Sequence, residues 1–239
     1  MQEGFLLNSS VLWELDTTPE TTATYERLGA GIMSPDPQNN EDVDQTAYLD
    51  GDGFKTSDVT GAQFTVAFSG HRVLGDAAQD FIFDKQSKLG SSRRTNCRMT
   101  NANGNQKTGP VTIANINGPG GDASAKGDIS FEIHFNGKPT ETAATQAPTL
   151  SATIAAGTGA GTTKFTATPD SGDTLAYKLY AADPSLPKGN ELLDGLTAYT
   201  SGNDIAASEG QYILMVELNA YGRVAKAASD ILEAADIAS

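Results

Sequence analysis

Residues 48–90, YLDGDGFKTSDVTGAQFTVAFSGHRVLGDAAQDFIFDKQSKLG, read as an acidic turn, a strand, a tight connection and one amphipathic helix. From Ala62 to Gly70 the chain alternates. Phe64, Val66 and Phe68 fall on one face and Gln63, Thr65 and Ala67 on the other, the period of two of a half-buried strand. Asp76 suits an N-cap, because its carboxylate can accept from a free N–H of the first helical turn, and Gln79 completes a capping-box-like pattern. Ala78, Phe81, Ile82 and Leu89 define an apolar stripe, and Lys85 and Lys88 lie where the helix dipole favours cations. Gly90 supplies a left-handed closing residue. The pattern predicts one helix, from Asp76 toward Gly90, packed on a sheet.

Outward from this segment the chain reads as β-structure. Val11 to Leu15, with the only tryptophan, and Thr24 to Leu28 are short apolar runs separated by the turn-rich DTTPETT. Gly29 to Gly61 is polar and irregular, with one strand expected at Val43 to Leu49. A loop of that length in a folded domain is functional or waits for a partner to order it. Beyond the helix, Ser92 to Thr100 alternates, Asn103-Gly104 marks a hairpin, and Val111 and Ile113 begin a strand whose pattern breaks at Asn115 and Ile116, as at a bulge or wide turn. Ile129, Phe131, Ile133 and Phe135 alternate cleanly and predict the centre of a barrel or sandwich wall.

Composition changes at Pro139, which divides the chain into a first domain at 1–139, a linker at 140–149 rich in Ala and Thr, and a second domain at 150–239. The second has the turn spacing of an immunoglobulin-like β-sandwich, with strands expected at 150–155, 164–168, 175–181, 196–200, 212–218 and 223–227, and a weak helical tail at 229–238. QYILMVELNAYGRVAKAAS reads as a hairpin across Ala220-Tyr221-Gly222. The fold class expected is mainly β: a barrel or sandwich flanked by one α-helix, followed by an Ig-like β-sandwich.

The net charge of −14 is shared between both parts, with 11 Lys and Arg against 19 Asp and Glu up to residue 145 and 5 against 11 beyond it. Such a balance argues against a nucleic-acid-binding role, which needs clustered positive charge. Arg93, Arg94 and Arg98 form the local basic cluster and alternate around Thr95, Cys97 and Met99. They read as a solvated or subunit-facing strand side in preference to a phosphate site. The single cysteine excludes an intramolecular disulfide framework and fits a reducing compartment. The N-terminal stretch MQEGFLLNSSVLWELD lacks the basic start and apolar run of a signal peptide. No stretch approaches a membrane span.

Chemistry-bearing motifs are sparse. His71 and His134 have no local nucleophile and orienting carboxylate, and one cysteine with two distant histidines does not make a structural zinc site. Asp50-Gly51-Asp52-Gly53 resembles the start of a calcium loop, yet an EF-hand counted from Asp50 needs an oxygen ligand at Phe54 and a glutamate at Gly61. A tight turn made by carboxylates and glycines is the better reading. Neither glycine cluster, GPGGDASAKG or GTGAGT, has the ending of a phosphate loop. No catalytic residue, cofactor or metal is expected.

The acidic YLDGDG loop, the strand V-T-G-x-x-F-x-V-A-F-S-G-x-R from Val59 to Arg72, and G-D-x-A-Q-D-F-I-F from Gly75 to Phe83 together resemble the major tail tube proteins of long, non-contractile-tailed bacteriophages, of the siphophage type. The resemblance continues through Arg93–Asn103 and Ile129–Asn136 and covers about residues 1–145. It implies a structural virion protein, assembled in the host cytoplasm. Six copies would close into a ring, and rings would stack into a tube through which DNA passes without specific binding. The C-terminal Ig-like domain would decorate the exterior. Tape-measure, tail terminator and baseplate or distal tail proteins are the partners implied, and no membrane. On this reading the subunit contacts fall on Asn39, Asn40, Glu41, Asp42, Asp44, Asp50, Asp52 and Phe54 of the long loop, with Arg93 and Arg94. The alternative is a secreted or cell-surface β-sandwich module that binds a glycan or a protein, which the N-terminal stretch speaks against.

Overall fold

The computed structural model describes residues 5–239; residues 1–4, the start of the stretch read for a targeting signal, lie outside the described residues. The chain forms two units. The first comprises the residues up to Thr100 with Gln106–Thr142, and the second comprises Asn101–Asn105 with Ala143–Ser239.

The strands of the first unit are β1 (Leu12–Asp16), β2 (Tyr25–Arg27), β3 (Ile32–Gln38), β4 (Glu41–Ala47), β5 (Lys55–Ala62), β6 (Thr65–His71), β7 (Arg94–Thr100), β8 (Gln106–Gly120), β9 (Asp128–Phe135) and β10 (Thr140–Thr142). Eight of them make one sheet in the order β2-β1-β7-β8-β9-β6-β3, with β10 paired to β8, and it does not close into a barrel. The alternation read from the sequence sets which residues enter the core. Val66, Phe68, Ile129, Phe131, Ile133 and Phe135 are all buried, with Trp13 and Leu15 from β1. The pattern break in β8 is a bulge at Ala114–Asn117, where Asn115 takes a positive φ of 48°. Thr140–Thr142, expected within the linker, instead forms the edge strand β10 on β8.

The stretch 29–61, expected to be irregular with one strand, contains three. β3 pairs with β6 despite Pro35 and Pro37, and its close approach depends on two glycines. A Cβ on Gly70 would run into the Gly31 carbonyl, and one on Gly31, at φ 69°, would run into the His71 carbonyl.

The helix α1 (Ala77–Asp84) starts where expected, with Asp76 Oδ1 accepting from the Gln79 N–H at 2.9 Å, but ends well before Gly90. Past Asp84 the turns tighten, with the N–H groups of Lys85, Gln86 and Lys88 donating three residues back. Beyond the stop the Arg93 Nε donates to the Lys88 carbonyl at 2.6 Å and its Nη2 to the Gln86 carbonyl at 2.8 Å. Leu89 therefore leaves the apolar stripe and stands exposed, while Ala78 and Ile82 reach the core.

Gln79 does not complete a capping box. Its buried side chain accepts from the Val73 N–H at 2.9 Å and donates to the carbonyls of Ala30 at 2.6 Å and His71 at 3.2 Å, pinning α1 to the loop before β3. Gln79→Ala strands those buried groups. It is expected to destabilise the first unit by about 2–3 kcal/mol in urea denaturation.

In β7, Cys97 faces the core. Burial, with a smaller contribution from the charge of Glu14, pushes its thiol up to about 12. On the opposite sheet face the buried Glu14 lies across from Arg27 on one side and Arg98 on the other. The Arg98 guanidinium grips both Glu14 oxygens at 2.7 and 2.8 Å and lies 4.3 Å from the Tyr25 ring centroid.

The second unit is a two-sheet sandwich. β11 (Ala152–Ala156), β12 (Thr162–Ala167), β13 (Thr174–Tyr180), β14 (Thr197–Tyr199), β15 (Ile205–Ala206), β16 (Tyr212–Leu218) and β17 (Val224–Ile231) form a three-stranded sheet, β11-β12-β15, and a four-stranded one, β14-β13-β16-β17. Phe165, Leu175, Ile213 and Met215 pack between the sheets. Leu214 and Val216 face the other way under Leu186, Leu193 and Leu196, which is why β16 is apolar at each position from Ile213 to Val216. The Asn219–Gly222 turn closes the expected hairpin. The expected helical tail is corrected. β17 continues to Ile231, Leu232 is buried and bonded to Gln211, and the Ala238 N–H donates to the Thr162 carbonyl, so sheet bonds hold the tail extended apart from one 3₁₀ turn at Ala234–Asp236.

Asp204 organises the turn after β11. It accepts from the Thr158 hydroxyl at 2.5 Å and from the backbone N–H groups of Thr158 and Gly159, and these bonds hold its carboxyl down at about 2, below the ordinary 3.8. Because the folded value is depressed, the stabilisation is complete above the ordinary value and is lost as pH falls through about 2. Asp204→Asn is expected to remove that acid-dependent step from the pH titration of the second unit's thermal midpoint.

Candidate assembly surface

β4 and β5 pair only with each other, as a two-stranded sheet separate from the main one. They continue the β3–β6 pair outward. Gln38 lies opposite Thr65 at the end of one ladder and Glu41 opposite Ala62 at the start of the next. At the junction Asn40 takes a positive φ of 46°, its side chain donates to the Gln63 carbonyl at 3.0 Å and the Thr65 hydroxyl at 2.7 Å, and the Gln63 N–H donates to the Asn39 carbonyl. Residues 41–62 are thus an arm bent at Asn40 and fixed at its base.

At the tip, Tyr48 accepts from the Gly51 N–H and Gly51 from the Phe54 N–H, and Asp52 and Gly53 supply the positive φ values of a tight turn. The calcium-like DGDG is this turn. Among the described residues, the carboxylates that converge at ligand spacing are Asp170, Asp173 and Glu217 in the second unit, where Lys226 already bonds Asp170 at 2.9 Å and Glu217 at 3.0 Å.

The arm buries almost nothing. Leu49 is 105% exposed, Phe54 82% and Val59 61%, and Val43 and Tyr48 are exposed beside them. It also carries Glu41, Asp42, Asp44, Asp50, Asp52 and Asp58 against the single Lys55, and Asp44 lies directly across the ladder from Asp58. A two-stranded hairpin with no covered face is marginal in water, opposed like charges weaken it further, and both its edges are open to pairing. Such a surface is chemically suited to burial against a partner.

Of the residues singled out in the sequence, Asn39 and Asn40 lie at the base of the arm, Glu41, Asp42 and Asp44 along it, and Asp50, Asp52 and Phe54 at its tip. Arg93 and Arg94 lie elsewhere, after α1, with Arg93 engaged by backbone carbonyls and Arg94 exposed. The exposed Val43, Tyr48, Leu49 and Val59 were missed. The signal available for them was Val43 and Val59 within runs of polar and β-branched residues on either side of the DGDG turn.

Residues 155–234 match the family model of the S-layer protein SbsC C-terminal domain. The match lies within the second unit. Solved structures similar to the chain include the tail of an empty gene transfer agent (GTA) particle refined with C6 symmetry, 17% identical over 60% of this chain and 100% of that one, with a TM-score of 0.46. The virion of a native GTA particle is 14% identical with the same coverages and TM-score. Domains 7, 8 and 9 of SbsC are 24% identical over 57% of this chain and 38% of that one, with a TM-score of 0.38. No curated protein matches the chain in sequence.

Proposed function

We propose that the chain is a structural virion protein, the repeating subunit of a phage-type tail tube. Six copies of the first unit close into a ring, rings stack, and the second unit, as an Ig-like module, decorates the outside. DNA passes through the lumen without specific binding. The observation that carries this reading is the arm, an acidic, apolar-tipped hairpin, fixed at its base, whose large apolar side chains stand exposed among the described residues. Heterologous contacts of this kind close into rings or continue as filaments, and the net charge of −14 suits a conduit that repels phosphate.

The open sheet refines how copies meet. The strands at the two ends of its main path are β2 and β3. Pro35 and Pro37 have no N–H to offer, which blunts the β3 edge against ladder extension. A sheet continuous around the ring is therefore disfavoured at that edge, and side-chain contacts carry the lateral interface there.

Electron microscopy of the purified chain over a concentration series, with size-exclusion chromatography alongside, tests the proposal. Hollow tubes or six-membered rings are expected. A monomer at every concentration that binds a glycan saturably would overturn it. That outcome belongs to the second reading, a cell-surface binding module, which the S-layer family match to residues 155–234 favours.

A further inference from the structure

Positive charge in the first unit is gathered in one short segment. Residues 85–98 hold five of the chain's sixteen Lys and Arg and no carboxylate. Two of the five are occupied inside the fold, Arg93 by backbone carbonyls and Arg98 by Glu14. The other three, Lys85, Lys88 and Arg94, line a cleft of about 470 Å³ between the end of α1 and the turn joining β1 to β2. Phe81 adds apolar surface, with Lys85 Nζ 4.4 Å from its ring centroid, and Leu89, 82% exposed, follows Lys88 in the chain. Carboxylates nearby are few. Glu20 lies on the wall, and Asp84 sits beside Lys85 at 3.6 Å and Lys88 at 2.6 Å.

We infer that this cleft receives the arm of a second copy of the chain. Asp44, Asp50 and Asp52 of the incoming arm meet Lys85, Lys88 and Arg94, and Leu49 and Phe54 cover Phe81 and Leu89. The inference rests on the tube-subunit reading and names what the arm touches. The arm carries six carboxylates and one lysine, the segment opposite carries five cations and no acid, and both surfaces belong to one chain. Among the described residues, β4 and β5 pair with no strand but each other. Two complementary surfaces on one molecule are what head-to-tail stacking requires. Exposed ion pairs add little affinity each, so the charges set register and encounter rate while the apolar tip provides adhesion.

The test uses the full chain under conditions where the unaltered protein assembles. Lys85→Glu, Lys88→Glu and Arg94→Glu together are expected to weaken ring-to-ring association by about a hundredfold while circular dichroism stays unchanged. Adding Asp44→Lys, Asp50→Lys and Asp52→Lys to the same chain is expected to restore tubes. A photo-crosslinker at Leu49, with isotope-labelled and unlabelled copies mixed, is expected to capture residues 81–94 of the other copy. Tubes of normal length from the triple charge reversal, or crosslinks to another region, would overturn the cleft assignment and leave the tube reading intact. A chain that never assembles and never crosslinks between copies would overturn both.

Discussion

Excising residues 43–60 and joining Asp42 to Gly61 through an Asn-Gly turn is expected to leave a folded monomer that builds no tubes. Asp42 and Gly61 are already paired across the ladder, so a two-residue turn can close them. The bonds at the base, through Asn39, Asn40, Gln63 and Thr65, survive. Nothing from the arm belongs to the core, so the thermal midpoint should scarcely move. Assembly should respond very differently. Burying an apolar side chain contributes about 1.5–3 kcal/mol, so losing Leu49 and Phe54 at each contact removes about 3–6 kcal/mol, more than a hundredfold in association. In the proposed ring the loss would be repeated at every arm and would compound through avidity. Full-length tubes from the excised chain in electron micrographs would remove the arm from the assembly mechanism.

The second large effect is on stability. Arg98→Met leaves Glu14, whose side chain is 3% exposed, without the two-pronged guanidinium that holds it. Removing one partner of a buried ion pair costs about 3–5 kcal/mol, because the remaining charge stays desolvated. Against a domain stability of about 5–15 kcal/mol, that brings the first unit close to unfolding. Adding Glu14→Leu should recover most of the loss, since replacing both members of a buried pair by apolar groups is often neutral. The readout is specific, because Trp13, the only tryptophan, neighbours Glu14 in β1 and the second unit has none. A urea midpoint for Arg98→Met within about 1 kcal/mol of the unaltered chain would mean that water reaches Glu14 and the pair is dispensable.

Much of the fold was legible because half-buried strands carry their own signature. Val66, Phe68 and the run Ile129 to Phe135 alternate in sequence and all enter the core, and Asp76 caps α1 as its chemistry requires. Legibility ended where burial ended. β4 was expected, at Val43 to Leu49, but β5 exposes both faces and carries no apolar period, and Pro35 and Pro37 disguised β3, which tolerates them at an open edge. Leu89 fitted the helical stripe, yet the chain leaves the α-helix at Asp84 through three-residue turns. The tail at 229–238 looked helical by composition, and its backbone bonds to Gln211 and Thr162 overrode that propensity. For the candidate surface, the carboxylates of the arm and Phe54 were visible in the sequence and Leu49 was not, because one leucine in a polar stretch resembles an ordinary loop residue.

The depth of Cys97 makes it a clock. With its thiol pushed up to about 12 and no exposure to solvent, it has neither the thiolate nor the access that alkylating reagents need. Folded chain should behave toward maleimide as though it had no cysteine. The sulfur is reached only when the sheet around β7 opens, so the slow appearance of label would count opening events of the first unit. If the chain assembles as proposed, the same chemistry would apply to tubes and to free subunits, and the ratio of the two labelling rates would measure how far assembly restrains each copy from breathing.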